Sequence, residues 1–152
     1  MAEADGMRRA GPEDAAAVRD LTRAAYARWV PIVGREPRPM GADYDRAVRE
    51  HRIDLLDRAG ALVALIETVL EPDCLLIVNV AVAPDAQGRG LGRKLLAHAE
   101  SVAVEAGLGR IRLYTNKLMA TNLRLYAELG YGIDGEEAFP GAVAIHMSKA
   151  LG

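Results

Sequence analysis

The sequence predicts an α/β (α+β) fold, one mixed sheet carrying about four helices. Three observations predict it. Apolar runs of strand length alternate with longer runs whose apolar residues recur at helical spacing. The run Leu75–Val82 leads through a short glycine turn, Gln87-Gly88-Arg89-Gly90-Leu91-Gly92, straight into the periodic run Leu91–Ala106. Two further pairs of strand-like runs are joined by the turns Arg58-Ala59-Gly60 and Phe139-Pro140-Gly141. With 152 residues and no internal repeat, low-complexity segment or linker, residues 1–152 read as one domain.

Taken in order, Gly11-Pro12-Glu13-Asp14 opens a helix over Ala15–Trp29, with Val18, Leu21, Ala25 and Trp29 on one face. A proline near the start and acids in the first turn suit a helix N-terminus. Pro31, Gly34, Pro37, Pro39 and Gly41 then interrupt regular structure. Asp43–His51 predicts a short second helix whose charged residues mostly face solvent. Arg52–Asp57 and Ala61–Val69 flank a hairpin turn, and Glu71-Pro72-Asp73 turns the chain into Leu75–Val82. That run is apolar on both faces, so a central strand buried on both sides is expected.

The helix Leu91–Ala106 shows one stripe of Leu91, Leu95, Leu96, Ala99, Val102 and Ala103, and Gly107 and Gly109 end it. Arg110–Thr115 is reached through a helix and is expected to run parallel to its predecessor. Leu118–Leu129 reads as the fourth helix with Gly130 as its C-cap, and Tyr131–Ala138 with Ala142–Ser148 as a closing strand pair.

Composition narrows the function classes. Nineteen basic against 21 acidic residues give a formal net charge of −2, without the concentrated basic face that nucleic acid demands. No run has the length of a membrane span, and Met1–Arg9 lacks the apolar core of a signal peptide, so a cytoplasmic location is expected. The lone Cys74 excludes an internal disulfide. His51, His98 and His146 stand too far apart for a short ligand motif, so no metal is expected.

The glycine turn carries the chemistry. A strand-to-helix turn leaves backbone N–H groups unpaired at a helix N-terminus, where the dipole favours negative charge. Glycines let an anion, such as a pyrophosphate, approach those donors. A Walker loop fails because Gly92 is followed by Arg93 and Lys94. A dinucleotide fingerprint fails because its third glycine would fall at Arg93.

The pattern Gln87-x-x-Gly90-x-Gly92, preceded by Val80-Ala81-Val82-Ala83-Pro84, resembles the coenzyme A loop of the GNAT N-acetyltransferase superfamily. Downstream, Leu113-Tyr114-Thr115-Asn116, then Leu125-Tyr126, then Gly130-Tyr131 is similar to that family's later motif. The resemblance covers nearly the whole chain. It implies a mostly antiparallel sheet of six to seven strands, opened by a cofactor slot between diverging central strands. It also implies an N-acetyltransferase that moves an acetyl group from acetyl-CoA to a primary amine, by direct transfer in a ternary complex and without a metal.

Residue by residue, the resemblance places the pyrophosphate on Gln87, Gly88, Arg89, Gly90, Leu91, Gly92 and Arg93, although Arg89 and Arg93 read equally well as solvated arginines. It places the pantetheine arm on the backbone of Val80 and Val82, whose side chains also read as core. Tyr126 matches the general acid, because a phenol is protonated at neutral pH and can donate to a departing thiolate. A packed aromatic is the structural alternative. Asn122, one turn before Tyr126, is the candidate for the pantetheine amide, with Asn116 as its competitor or a helix cap.

One departure is plain. Cys74–Pro84 holds no carboxylate, only Asn79, where many family members carry a glutamate base. Glu67, near the end of the preceding strand, could substitute through water, but it reads more readily as an exposed strand-end glutamate, so no base is assigned. The acceptor site is expected in the irregular segment Tyr26 to Tyr44, with Tyr26 and Trp29 as substrate-binding candidates, although the segment reads also as a structural proline-rich crossing over the sheet edge. The acceptor would be a small-molecule or peptide amine. Its identity, the acyl length and the choice of monomer or homodimer stay open. Lone Cys74, far from any His in sequence, speaks against a covalent acetyl-cysteine route. The alternative function is a non-catalytic acyl-CoA-binding or sensing module of the same fold, supported by the missing strand carboxylate alone.

Overall fold

A computed structural model describes residues 6–152. The reading of Met1–Arg9 as lacking a leader falls partly outside the described residues. In chain order the elements are β1 (Met7–Arg9), α1 (Ala15–Tyr26), the single turn α2 (Val30–Val33), α3 (Tyr44–Glu50), β2 (Arg52–Arg58), β3 (Ala61–Leu70) and β4 (Leu75–Val82). There follow α4 (Leu91–Glu105), β5 (Arg110–Asn116), α5 (Ala120–Glu128), β6 (Gly132–Phe139) and β7 (Ala142–Ala150). The seven strands form one sheet in the order β1-β2-β3-β4-β5-β7-β6. Every neighbouring pair is antiparallel except β4 and β5, which are parallel as expected of strands joined through a helix.

Two cores sandwich the sheet. On one face α1 and α3 set Val18, Leu21, Ala25, Tyr44 and Val48 against Ile53, Leu55, Leu65 and Ala81. On the other, α4 and α5 cover Ile66, Leu75, Ile77, Ile111, Leu113 and Met147 with Leu95, Leu96, Ala99 and Tyr126. The β2–β3 hairpin turns on Ala59 (φ 53) and Gly60 (φ 78), the two left-handed residues a tight two-residue turn requires.

Several boundaries differ from the pattern reading, each for a local reason. The first helix ends at Tyr26 rather than Trp29, because Ala27–Trp29 tightens into a 3-10 turn. Pro31 does not break structure there. It sits in the first turn of α2, where its missing N–H costs nothing, and Gly34 (φ 89) ends that turn. β1, only three residues long, is too short to show periodicity, and its buried Met7 anchors it to the core.

β4 is not buried on both sides as expected. Its residues alternate buried and half-buried. A bulge explains the phase: Glu67 pairs with Asn79 and Thr68 with Ile77, leaving Val78 as the extra residue. Before it, Leu75 and Ile77 belong to the core under α4. After it, Asn79 and Ala81 face α1 instead. The partner β5 follows β4 only from Leu75↔Ile111 to Ile77↔Leu113 and then continues along β7 as far as Asn116↔Ala144. The central pair therefore splays open from Val78 onward.

Candidate active site

The site is the space that opens where β4 and β5 part. Main-chain direction in β4 can be read from three bonds. Ala83 N donates to Val63 O of β3 at 2.8 Å, so by the two-residue period of a strand Ala81 also turns its polar groups toward β3. Val80 and Val82 turn theirs into the slot. Their carbonyls agree: Val82 O accepts from Gln87 Nε2 at 3.0 Å, and Val80 O lies 3.3 Å from the Tyr26 hydroxyl. The N–H groups of Val80 and Val82 share that direction and face the slot.

At the far end of β4 the glycine turn leads into α4. Gly88 (φ 79) and Gly90 (φ 80) are left-handed, and an added Cβ at either meets no atom within 4 Å. These glycines are there for backbone shape, with open space above them. The first N–H of α4 to find a helical carbonyl is that of Lys94, donating to Gly90 O at 3.1 Å. Those of Leu91, Gly92 and Arg93 precede it and have no helical carbonyl to reach, the kind of helix start that favours an anion.

A cavity of about 280 Å³ lies over this turn, lined by Gln87, Gly88, Gly90, Leu91, Gly92 and Arg93 among others. Arg93 is tied to Glu128 across the helix pair. Arg89 is exposed and does not line the cavity, so of the two arginines only Arg93 stands at the site. Trp29 also lies here, on the glycine-turn side and not in the larger cavity expected for an acceptor. The 3-10 turn after Tyr26 carries it there. It is 7% exposed, with the Arg28 guanidinium 4.8 Å above its ring.

A second cavity of about 880 Å³ opens along Ile77–Val80 of β4, between α3, the segment after α2 and the β5 and β7 strands. Tyr26, Val80, Asn122 and Tyr126 line both cavities. The two spaces therefore meet at Val80 and the side chains of Tyr26, Asn122 and Tyr126.

Each side chain at this junction has a structural cause. Tyr26, at the end of α1, donates to Asn79 Oδ1 at 2.8 Å. Asn79 Nδ2 donates to Thr22 Oγ1 at 3.1 Å and lies 3.3 Å from the Tyr44 hydroxyl, which itself donates to Pro39 O at 2.6 Å. Asn79, 2% exposed, thus fastens α1 and α3 to the strand, a fully bonded buried amide in place of a carboxylate. Tyr126 stacks obliquely on Tyr131, ring centroids 5.9 Å apart, and burial pushes its hydroxyl up to about 12. It therefore holds its proton throughout the neutral range. Asn122 makes only a long contact to Met119 Sδ at 3.8 Å, which leaves its amide available at the slot. Asn116 Oδ1 accepts from Leu118 N at 2.9 Å within the turn before α5, whose own N-cap is Met119, so Asn116 does not cap the helix itself.

The sequence reading offered Glu67 as a base acting through water but favoured an exposed position for it. It is not an exposed strand-end residue: it is 3% exposed, one residue before the bulge, and faces the larger cavity. His51 Nδ1 lies 2.6 Å from its Oε2. An ionised carboxylate only accepts, so with Glu67 ionised Nδ1 is the donor of this bond, and Nε2 is the ring nitrogen left outside it. His51 is the member of the pair that the sequence reading missed, and its position directly ahead of a strand is a weak signal. What buries Glu67 is its register opposite Asn79, which no local pattern encodes.

The sheet thus opens between two parallel strands, with main-chain N–H groups along one wall and a helix that starts at Gly90 at its end. The chain belongs to the acetyltransferase (GNAT) family, whose model matches residues 16–131. It is 32% identical over 81 residues to the streptothricin acetyltransferase of Streptomyces lavendulae, an alignment covering 49% of this chain and 43% of that protein. The chain thus matches less than half the length of that curated relative. Its fold is shared by the ribosomal-protein-S18-alanine N-acetyltransferase from Escherichia coli, with TM-score 0.78 at 22% identity over 95% of this chain and 92% of that one. It is also shared by a GNAT family acetyltransferase from Elizabethkingia anophelis with acetyl-CoA bound, with TM-score 0.61 at 18% identity over 70% and 80% of the two chains.

Proposed function

We propose that this protein is an acetyl-CoA-dependent N-acetyltransferase acting by direct transfer to a primary amine. The observation that carries the reading is the meeting of the two cavities at Val80, with Tyr26, Asn122 and Tyr126 common to both. One extended donor can lie with its pyrophosphate on Gln87–Gly92 and its thioester at the junction, while the amine enters from the larger space.

In this reading acetyl-CoA supplies the thioester, and the chain's own groups do the rest. The N–H groups of Val80 and Val82 bind the pantetheine arm as an added strand would and, at Val80, polarise the thioester carbonyl. Asn122 bonds the arm from the opposite wall. Tyr126 gives its proton to the sulfur as the C–S bond breaks. The amine must be neutral to attack, and its proton passes to Nε2 of His51, held in the right tautomer by Glu67 as carboxylates hold imidazoles elsewhere. Tyr26 contacts the reacting end from below. Trp29 belongs with the donor site and not with the acceptor.

The alternative of a non-catalytic acyl-CoA module rested on a missing carboxylate. Buried Glu67, paired with His51 beside the slot, removes that support. Thiol release from acetyl-CoA in the presence of a panel of amines tests the proposal. Release that depends on the amine and matches N-acetyl product mole for mole is expected. Tight binding of acetyl-CoA with no amine-dependent release from any acceptor would establish the non-catalytic module instead.

A further inference from the structure

Resting on that reading, we propose that the acceptor is a primary amine bearing a carboxylate, as a free amino acid does, and that Arg35 and Arg38 hold the carboxylate. Both residues line the larger cavity, on the segment that follows α2. Both are fixed to the turn between β6 and β7 by uncharged partners. Arg35 Nη2 donates to Pro140 O at 3.1 Å, and the Arg38 guanidinium sits 5.3 Å from the centre of the Phe139 ring.

Those partners leave the guanidiniums with most of their capacity. A carbonyl takes one of five N–H donors, and an aromatic face takes none of the in-plane ones. The other arginines around this cavity are already neutralised. Arg46 pairs with Glu50 at 2.9 Å, and Arg23 pairs with Glu36 at 2.9 Å. Asp43 caps α3 by accepting from Arg46 N at 3.2 Å. Glu67 faces His51. Among the described residues, Arg35 and Arg38 are thus two charges of one sign at this opening that face no carboxylate.

The cavity is polarised as a result. At its inner end stand the slot, Tyr126 and the His51–Glu67 pair, which accept a neutral amine and take its proton. At its outer end stand two planar forks suited to a carboxylate. A zwitterionic acceptor matches both ends at once. A polycationic acceptor meets two guanidiniums without an ion-pair partner at the entrance, a repulsive element that the Asp43 carboxylate on the same wall offsets only in part. The volume, about 880 Å³, suits a small molecule together with the end of the donor arm.

The test uses matched acceptors at saturating acetyl-CoA. For a small, an apolar and an acidic L-amino acid, thiol release is compared with that for the corresponding primary α-amide and the amine lacking the carboxyl group. The expected result is that the best of the three amino acids exceeds its own amide in kcat/KM by at least about tenfold, the lower end for bonds to a charged group. The double variant Arg35→Gln/Arg38→Gln should bring that acid-to-amide ratio close to 1. Arg38→Lys, which keeps the charge and removes the fork, should lower it part of the way and serves if the double variant fails to fold. Amides or plain amines used as well as the acids, or a ratio indifferent to the substitutions, would overturn the inference and leave acetyl transfer standing. Acetyl-CoA binding without turnover of any acceptor would overturn the acetyltransferase reading and this inference with it.

Discussion

Gly90→Asp probes the donor site with a perturbation whose size follows from the structure. Gly90 is left-handed at φ 80, and an added Cβ meets no atom within 4 Å, so the substitution is strained but not obstructed. Holding a non-glycine residue in that region costs about 1–2 kcal/mol, the lower end for Asp, which tolerates it best. The fold should survive with a melting temperature lower by roughly 4 °C. Binding should suffer far more. A carboxylate about 6 Å from a pyrophosphate charge, at an effective dielectric of about 20, is opposed by about 3 kcal/mol, or roughly a hundredfold in Kd. Gly90→Ala carries the strain without the charge and separates the two effects. Calorimetry with acetyl-CoA should therefore show a small loss for Ala and a large one for Asp, and salt should partly relieve the second. Near-native affinity in a folded Gly90→Asp protein would refute the placement of the pyrophosphate on this turn.

Three further outcomes follow from the same geometry. His51→Gln should lower kcat by about a hundredfold with acetyl-CoA affinity unchanged, the range of general base catalysis, while Glu67→Gln, which still accepts from Nδ1, should lose less; equal activity in all three proteins would remove the pair from the mechanism. Trp29→Leu should raise the Kd for acetyl-CoA several-fold and leave the acceptor KM at saturating acetyl-CoA nearly untouched, because Trp29 lines the cavity over the glycine turn; the reverse pattern would return it to the acceptor site. The Asp54 carboxyl, which burial alone would raise, is held below the usual carboxylate range by hydrogen bonds from His98 and Arg52. Its contribution is therefore complete above the unfolded value of about 4 and lost as pH falls through the lower folded value, and Asp54→Ala should cost about 3 kcal/mol at neutral pH, read by denaturant unfolding.

What the sequence made legible was local. The passage from β4 through Gly88 and Gly90 into α4 is coded by residues that are neighbours in the chain, and it stands where the spacing put it. The Leu-Tyr helix and the parallel β4–β5 pair were legible for the same reason. What escaped was set by distant partners. The bulge at Val78 turns Asn79 toward α1 and brings Glu67 under cover, and neither residue carries a mark of it. His51 and Glu67 meet from 16 residues apart. Trp29 changed sides because three residues tightened from an α-helical to a 3-10 turn, a small twist that periodicity does not resolve. Arg35 and Arg38 looked like part of an irregular crossing until the turn at Pro140, 105 residues on from Arg35, gave them a position.

The central claim is that acetyl transfer takes place at the junction of the two cavities, with Tyr126 protonating the departing sulfur. The most direct measurement is the single-turnover rate of Tyr126→Phe, taken with a good acceptor and with acetyl-CoA affinity determined in parallel. The ring and its contact with Tyr131 remain, so affinity should change by no more than the roughly 1 kcal/mol of a single hydroxyl bond. The rate should fall by at least about tenfold even where water substitutes in part. Because burial pushes the hydroxyl up to about 12, the wild-type rate should also show no alkaline decline traceable to this residue at lower pH. A Tyr126→Phe protein that transfers acetyl at the wild-type rate would contradict the account and leave Tyr126 a packing residue at the mouth of the slot.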